Sequence, residues 1–281
     1  MKTILYATDY SKESIAALKY AHTIAKLFAS RLVVLHVFDI GFSLASPISM
    51  SYLNKEKKMQ VKHRTKLEDY CAEHLGDSLK DLLPKIMVVE SNVPVDGIQQ
   101  TALKVEADLI VVGTKGASAI REFFLGSTTK GLFKKAPCTV MAVPPEFNPK
   151  KIKTIVYASD FEQADVFAIR KLVKIATSFD AKIRIIHIAT DPENSGYEQM
   201  QWFREMLQEK TPYAKMEFDL IFSDNVLKEL QSYVEDSKID LLAMLERKNH
   251  TFFEKHIKPD LVKQLVSETK VPLMSFNEVG L

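Results

Sequence analysis

Four small residues follow the apolar run Leu109 to Val112 at fixed spacing: Gly113-x2-Gly116-x9-Gly126-Ser127. Glycine accepts positive φ and, having no Cβ, lets backbone N–H groups come close to a ligand. Ser127 after Gly126 reads as a helix start, where unpaired N–H groups, the positive dipole end and a hydroxyl converge on an anion. The chemistry on offer is a phosphate cradle at the carboxyl end of a strand. The same residues can also make only a turn and a cap. Neither G-x-G-x-x-G after a strand nor Gly-x4-Gly-Lys-Ser/Thr is present, so the pattern is not one of the two commonest nucleotide fingerprints.

A second candidate is Asp9, directly after the β-rich run Thr3 to Ala7. A carboxylate there can hold a divalent cation against phosphate charge, or it can cap the next helix. Lys115, inside the glycine loop, can pair with a phosphate or be an exposed loop residue. His36 and His187 sit mid-strand in apolar runs, which points to a role in the fold. Cys71 and Cys138 lack metal spacing and read as packing thiols in a reducing compartment. No His-Glu-x2-His, Gly-x-Ser-x-Gly or Cys-x2-Cys occurs.

These residues need elements to carry them. Strands are expected at Thr3–Ala7, Leu32–Phe38, Lys85–Val89, Asp108–Val112 and Thr139–Val143. Between them, helices are expected from about Ser11, as cap, to Phe28, from about Asn54 to Leu75, and over Pro94–Val105. Strands alternating with helices imply parallel βαβ units with right-handed crossovers, whose ligands sit beyond the carboxyl ends of the strands.

The chain has 281 residues and a formal net charge of +2, which gives no reason to expect nucleic acid. No apolar run approaches the ~20 residues of a membrane span. The start, MKTILYATDYS, is too soon polar for a secretory signal. A cytoplasmic protein of two domains is expected.

The second half repeats the first. Lys153 to Asp160 copies Lys2 to Asp9, Ile183 to Ile188 copies Leu32 to Val37, Asp240 to Leu245 copies Asp108 to Gly113, and Val271 to Phe276 loosely copies Pro137 to Ala142. The copies differ where a ligand would sit: Gly113, Gly116, Gly126 and Ser127 become Leu245, Lys248, Lys258 and Pro259. The cradle is expected in the first copy alone. Trp202 reads as a packing anchor in its helical stretch.

Ala7-Thr8-Asp9, His36-Val37 and the glycine motif resemble the universal stress protein family, over nearly the whole chain and twice. The resemblance implies an α/β fold of two tandem open parallel five-stranded sheets, order 3-2-1-4-5, with helices on both faces, adenine-nucleotide alpha-hydrolase-like. It implies a universal stress domain with an intact nucleotide motif over residues 1–146 and a degenerate one over residues 152–281. The segment Ala7, Thr8 and Asp9 would contact the nucleotide, with Asp9 near ribose, phosphate or Mg²⁺. The backbone of Val37 would meet adenine. Gly113, Gly116, Gly126, Ser127 and Thr128 would hold phosphates, with Lys115 beside them. Val112 lines the base pocket or is simply core.

The resemblance implies a cytoplasmic ATP-, ADP- or AMP-binding protein of stress response or regulation, with hydrolysis at most slow. A weak ATPase and a non-binding interaction scaffold are the alternatives. Membrane and nucleic-acid partners are not expected. The last strands, Thr139 to Val143 and Leu273 to Phe276, would be apolar edges, a hazard unless paired. An intramolecular pseudo-dimer through them is expected, with a further homodimer open. The eight-residue linker Pro144–Lys151 reaches at most ~26 Å, enough for neighbouring domains.

Overall fold

The computed structural model describes residues 1–41, 50–114, 127–147, 152–190, 196–246 and 271–277. They form two compact units that divide near residue 150. The first unit holds strands β1 (Thr3–Ala7), β2 (Arg31–Phe38), β3 (Lys85–Glu90), β4 (Leu109–Gly113) and β5 (Thr139–Val143), with helices α1 (Ile15–Leu27), α2 (Met50–Leu75), α3 (Pro94–Val105) and α4 (Ser127–Lys135).

All its strand pairs are parallel, in the order β3-β2-β1-β4-β5. The order and the right-handed crossover rule together fix the layers. From β1 the chain steps twice to one side, placing α1 and α2 on one face; it then crosses back to β4, which puts α3 and α4 on the other. The contacts agree, since α1 packs on α2 and α3 on α4. Covered on both faces, β1 and β5 are buried throughout, which is why their sequences are apolar runs without alternation.

The second unit repeats this order with β6 (Thr154–Ala158), β7 (Lys182–Ala189), β8 (Met216–Phe222), β9 (Leu241–Glu246) and β10 (Leu273–Asn277), arranged β8-β7-β6-β9-β10 and again parallel. Its described helices are α5 (Gln163–Phe179), α6 (Gly196–Lys210) and α7 (Val226–Asp236). Ala7 pairs with Val112, and Ala158 with Met244, so Leu245 stands at the register of Gly113.

Opposite the carboxyl ends, each sheet carries the same brace. Asp108 Oδ2 accepts the N–H groups of Lys2 and Thr3, the latter at 3.0 Å. Asp240 Oδ2 accepts those of Lys153 and Thr154 at 2.8 and 3.0 Å. Each carboxylate ties the start of its central strand to the next one over.

Three expectations are corrected. Ser11 does not cap α1: a 3-10 turn, Lys12–Ser14, intervenes, and Ser11 makes no side-chain cap bond. α2 starts at Met50, four residues before Asn54. Trp202 is 51% exposed, while its neighbour Phe203 is fully buried, because the apolar phase of α6 runs through Phe203 and Leu207. Both cysteines are buried and free of disulfides, and burial pushes the Cys71 thiol up to about 12, which keeps it inert.

Candidate nucleotide crevice

β1 leads to one side of the sheet and β4 to the other, so no crossover helix closes over the gap between their carboxyl ends. A cavity of about 320 Å³ opens there, within the size range of small-molecule sites. Its apolar part comes from Ala7, Val37 and Val112 at three neighbouring strand ends, with Pro94 and Ile98 from the first turns of α3. Pro94 and Ile98 are four residues apart, so one helix face presents both. Gly97, between them, lets α3 lie on Val37: a Cβ there would meet Val37 Cγ1 at 2.9 Å.

The polar part comes from two stretches. At the carboxyl end of β4, Gly113 and Thr114 share the cavity with the opening of α4, where Ser127, Thr128 and Thr129 line the wall. The first N–H groups of a helix have no partner within it, so this wall offers donors and the positive dipole end. After β1, Thr8, Asp9, Ser11 and Ser14 complete the rim.

The proton directions on that rim are determined. Ser14 Oγ donates to the Ser11 carbonyl at 2.8 Å, so it must accept from Thr8 Oγ1 and from Tyr70 on α2, each at 2.9 Å. Thr8 Oγ1 also accepts the Tyr10 N–H at 2.9 Å. The Thr8 and Ser14 protons are thus committed within the protein, and these hydroxyls shape the crevice without having a proton to give a ligand. Asp9 is exposed, and its Oδ1 accepts the Ser11 N–H at 3.0 Å, which forms a local turn and does not cap α1. No group of three or more His, Cys, Asp or Glu is placed to hold a metal among the described residues. A cation at Asp9 would take its remaining ligands from phosphate and water, a coordination that suits Mg²⁺.

His36 anchors the turn from below. Its Nδ1 lies 2.8 Å from the Thr8 carbonyl, which can only accept, so that nitrogen carries the proton. His187 does the same to Ser159 at 2.7 Å. Both histidines serve the fold, as their mid-strand positions imply.

Of the expected site residues, Ala7, Thr8, Asp9, Val37, Val112, Gly113, Ser127 and Thr128 meet at one cavity. Lys115, Gly116 and Gly126 lie outside the described residues. The reason for Gly113 is corrected: its φ is not positive, and the backbone it admits is the protein's own. Sequence reasoning missed Ser11, Ser14, Pro94, Ile98, Thr114 and Thr129 as lining residues. A proline opening a helix directly after β3 was the available signal for Pro94 and Ile98.

The matching turn of the second unit is closed by a carboxylate. Asp165, at the position of Ser14, accepts from Tyr157 Oη at 2.8 Å, Ser159 Oγ at 3.0 Å and the N–H groups of Asp160 and Glu162 at 3.3 and 3.2 Å. It also completes a capping box with Glu162 at the start of α5. Lys248, Lys258 and Pro259 lie outside the described residues.

Comparison with known proteins agrees with the fold. The profile of the universal stress protein family matches residues 1–144. A universal stress protein of Thermus aquaticus is 30% identical over 143 residues, 50% of this chain and 98% of that protein. One from Methanocaldococcus jannaschii is 29% identical over 154 residues, 50% of this chain and 94% of the relative. Among solved structures, a universal stress protein from Archaeoglobus fulgidus aligns over 98% of both chains with a TM-score of 0.72 at 16% identity, a likeness of fold. On the family profile and these relatives, the chain belongs to the universal stress protein family.

Proposed function

We propose that the first unit binds an adenine nucleotide in the crevice between β1 and β4, and that its occupancy serves stress response or regulation. The observation that carries this reading is the pairing of an apolar slot, Ala7, Val37, Ile98 and Val112, with the amino end of α4 in one cavity. The slot suits a flat base and the helix end suits phosphate. On this reading residues 1–146 form the binding domain, residues 152–281 a degenerate one, and Asp9 holds Mg²⁺ together with the phosphates. Lys115, Gly116 and Gly126 would complete the phosphate cradle. Asp9 is the one carboxylate among the described lining residues, which favours occupancy, with hydrolysis at most slow, as the activity.

From the sequence alone we also propose a cytoplasmic location and pairing of the two halves through their last strands. No helix among the described residues is long and apolar enough to cross a membrane. Light scattering on residues 1–146 tests the pairing: dimers or aggregates are expected, and a stable monomer removes it.

Mass spectrometry of small molecules released from the purified full chain, followed by calorimetry with ATP, tests the main reading. A bound adenine nucleotide or a saturable heat is expected. A protein that releases none and binds none is a scaffold, and the reading falls.

A further inference from the structure

The turn after β1 is gripped by two rings that can take up protons, His36 of β2 and His63 of α2. Tyr10 holds φ 65, uncommon for a residue with a side chain. Its ring lies against His36 with centroids 4.1 Å apart, and His36 stacks on His63 of α2 at 4.8 Å. Phe38 stacks on the other neighbour, His63, at 5.0 Å. The Tyr10 hydroxyl donates to the His63 carbonyl at 3.1 Å, and Lys66 Nζ sits 4.0 Å from the centre of the Tyr10 ring. These contacts join α2 to the turn that carries Thr8, Asp9 and Ser11.

We propose that the His36–His63 stack is an acid-sensitive latch, which holds α2 on the Thr8–Ser11 turn at neutral pH and lets it go as the rings take up protons. The surroundings disfavour a charge on either ring. His63 Nδ1 is buried and has no hydrogen-bond partner among the described residues. From α2, Lys62 and Lys66 add positive charge, Glu68 is engaged by Arg64, the buried Cys71 thiol carries no charge, and Tyr70 and His74 pack edge to face on each other. From β3, apolar Val88 lies opposite His36. From the turn, the Thr8 carbonyl and Asp9 alone favour the proton, and Asp9 stands on the exposed rim. Burial, then His63 and Lys66, hold His36 below the ordinary histidine range. Burial, then Lys66 and Lys62, do so for His63.

The sign follows from linkage. With α2 lifted, both histidines return to water and to an ordinary value of about 6.5. The open state then binds more protons than the closed one. Opening grows easier as pH falls below that value, and the effect levels off beneath the depressed values.

The second unit provides a control within the same molecule. His187 makes the same bond to Ser159, but its ring meets Phe161, which meets Phe203 of α6. Neither phenylalanine can take a proton.

The latch does not depend on any nucleotide, so hydrogen exchange on the ligand-free full chain tests it. Exchange is read at about pH 7.5 and about pH 5.5, each rate corrected for the intrinsic rate. From His63 to Leu75, α2 is expected to lose protection by about tenfold or more at the lower pH, while α6 keeps its own. His63→Phe keeps a ring and removes the proton, and should shrink the loss. Should that variant fold poorly, NMR titration of the native histidines decides, with His36 and His63 expected to protonate below the ordinary range. Equal response of α2 and α6, a full loss retained in His63→Phe, or ordinary titration of both rings overturns the latch.

Discussion

Gly113 and Ser14 stand back to back: a Cβ built on Gly113 would lie 2.9 Å from Ser14 Cα and 3.1 Å from the Glu13 carbonyl oxygen. The end of β4 therefore presses on the 3-10 turn that opens the way to α1. Both contacts are backbone, which cannot rotate aside. Gly113→Ala should cost about 1–3 kcal/mol in urea unfolding and weaken nucleotide binding as the turn shifts. Unchanged stability would mean that the turn yields freely.

The second unit carries Leu245 at the same register. The turn facing it differs as well: it is built on Asp165 and has no 3-10 segment. With that turn closed on itself, calorimetry should give one nucleotide site per full chain. Two sites of similar affinity would contradict the assignment to the first unit.

Asp9 separates two roles. If it acts through Mg²⁺, Asp9→Ala should weaken ATP about tenfold or more while AMP changes less, the gap closing in EDTA. An equal loss for both nucleotides would place its action on the ribose or on the Ser11 turn.

Asp165 is 1% exposed and receives four donors in the second unit. Asp165→Asn turns one acceptor oxygen into a donor amide facing some of them. Thermal or urea unfolding should show a loss of about 2–5 kcal/mol, with nucleotide affinity of the first unit unaltered. A change under about 0.5 kcal/mol would show that the surroundings re-pair without it.

What could be read beforehand followed local rules. α3 runs over Pro94–Val105 as expected, since proline suits a first helical position and Glu106 ends the helix in the left-handed region. The strands of both copies rest on apolar runs that local composition displays, whereas their order came from the family resemblance, since neighbours in a sheet are set by contacts remote in sequence. The crevice was partly legible, because Asp9 and Gly113 each stand at the carboxyl end of an apolar run. The Ser14–Tyr70 bond was not, since its partners are 56 residues apart and neither belongs to a motif. Ser11 looked like a cap by type, yet the hydroxyl of Ser14 takes its carbonyl and tightens the chain into another turn. Trp202 misled by size, since the phase of α6 decides which side chain goes inward.

The braces at Asp108 and Asp240 have a consequence for how such a chain can change. Each fastens the floor of its sheet at the end remote from the crevice, by the same two backbone bonds. Substitutions at the mouth leave that foundation untouched, so a copy can shed its chemistry and still stand. In the second unit the Asp165 turn adds a tie of its own at the mouth, so the two ends of that sheet are fastened independently.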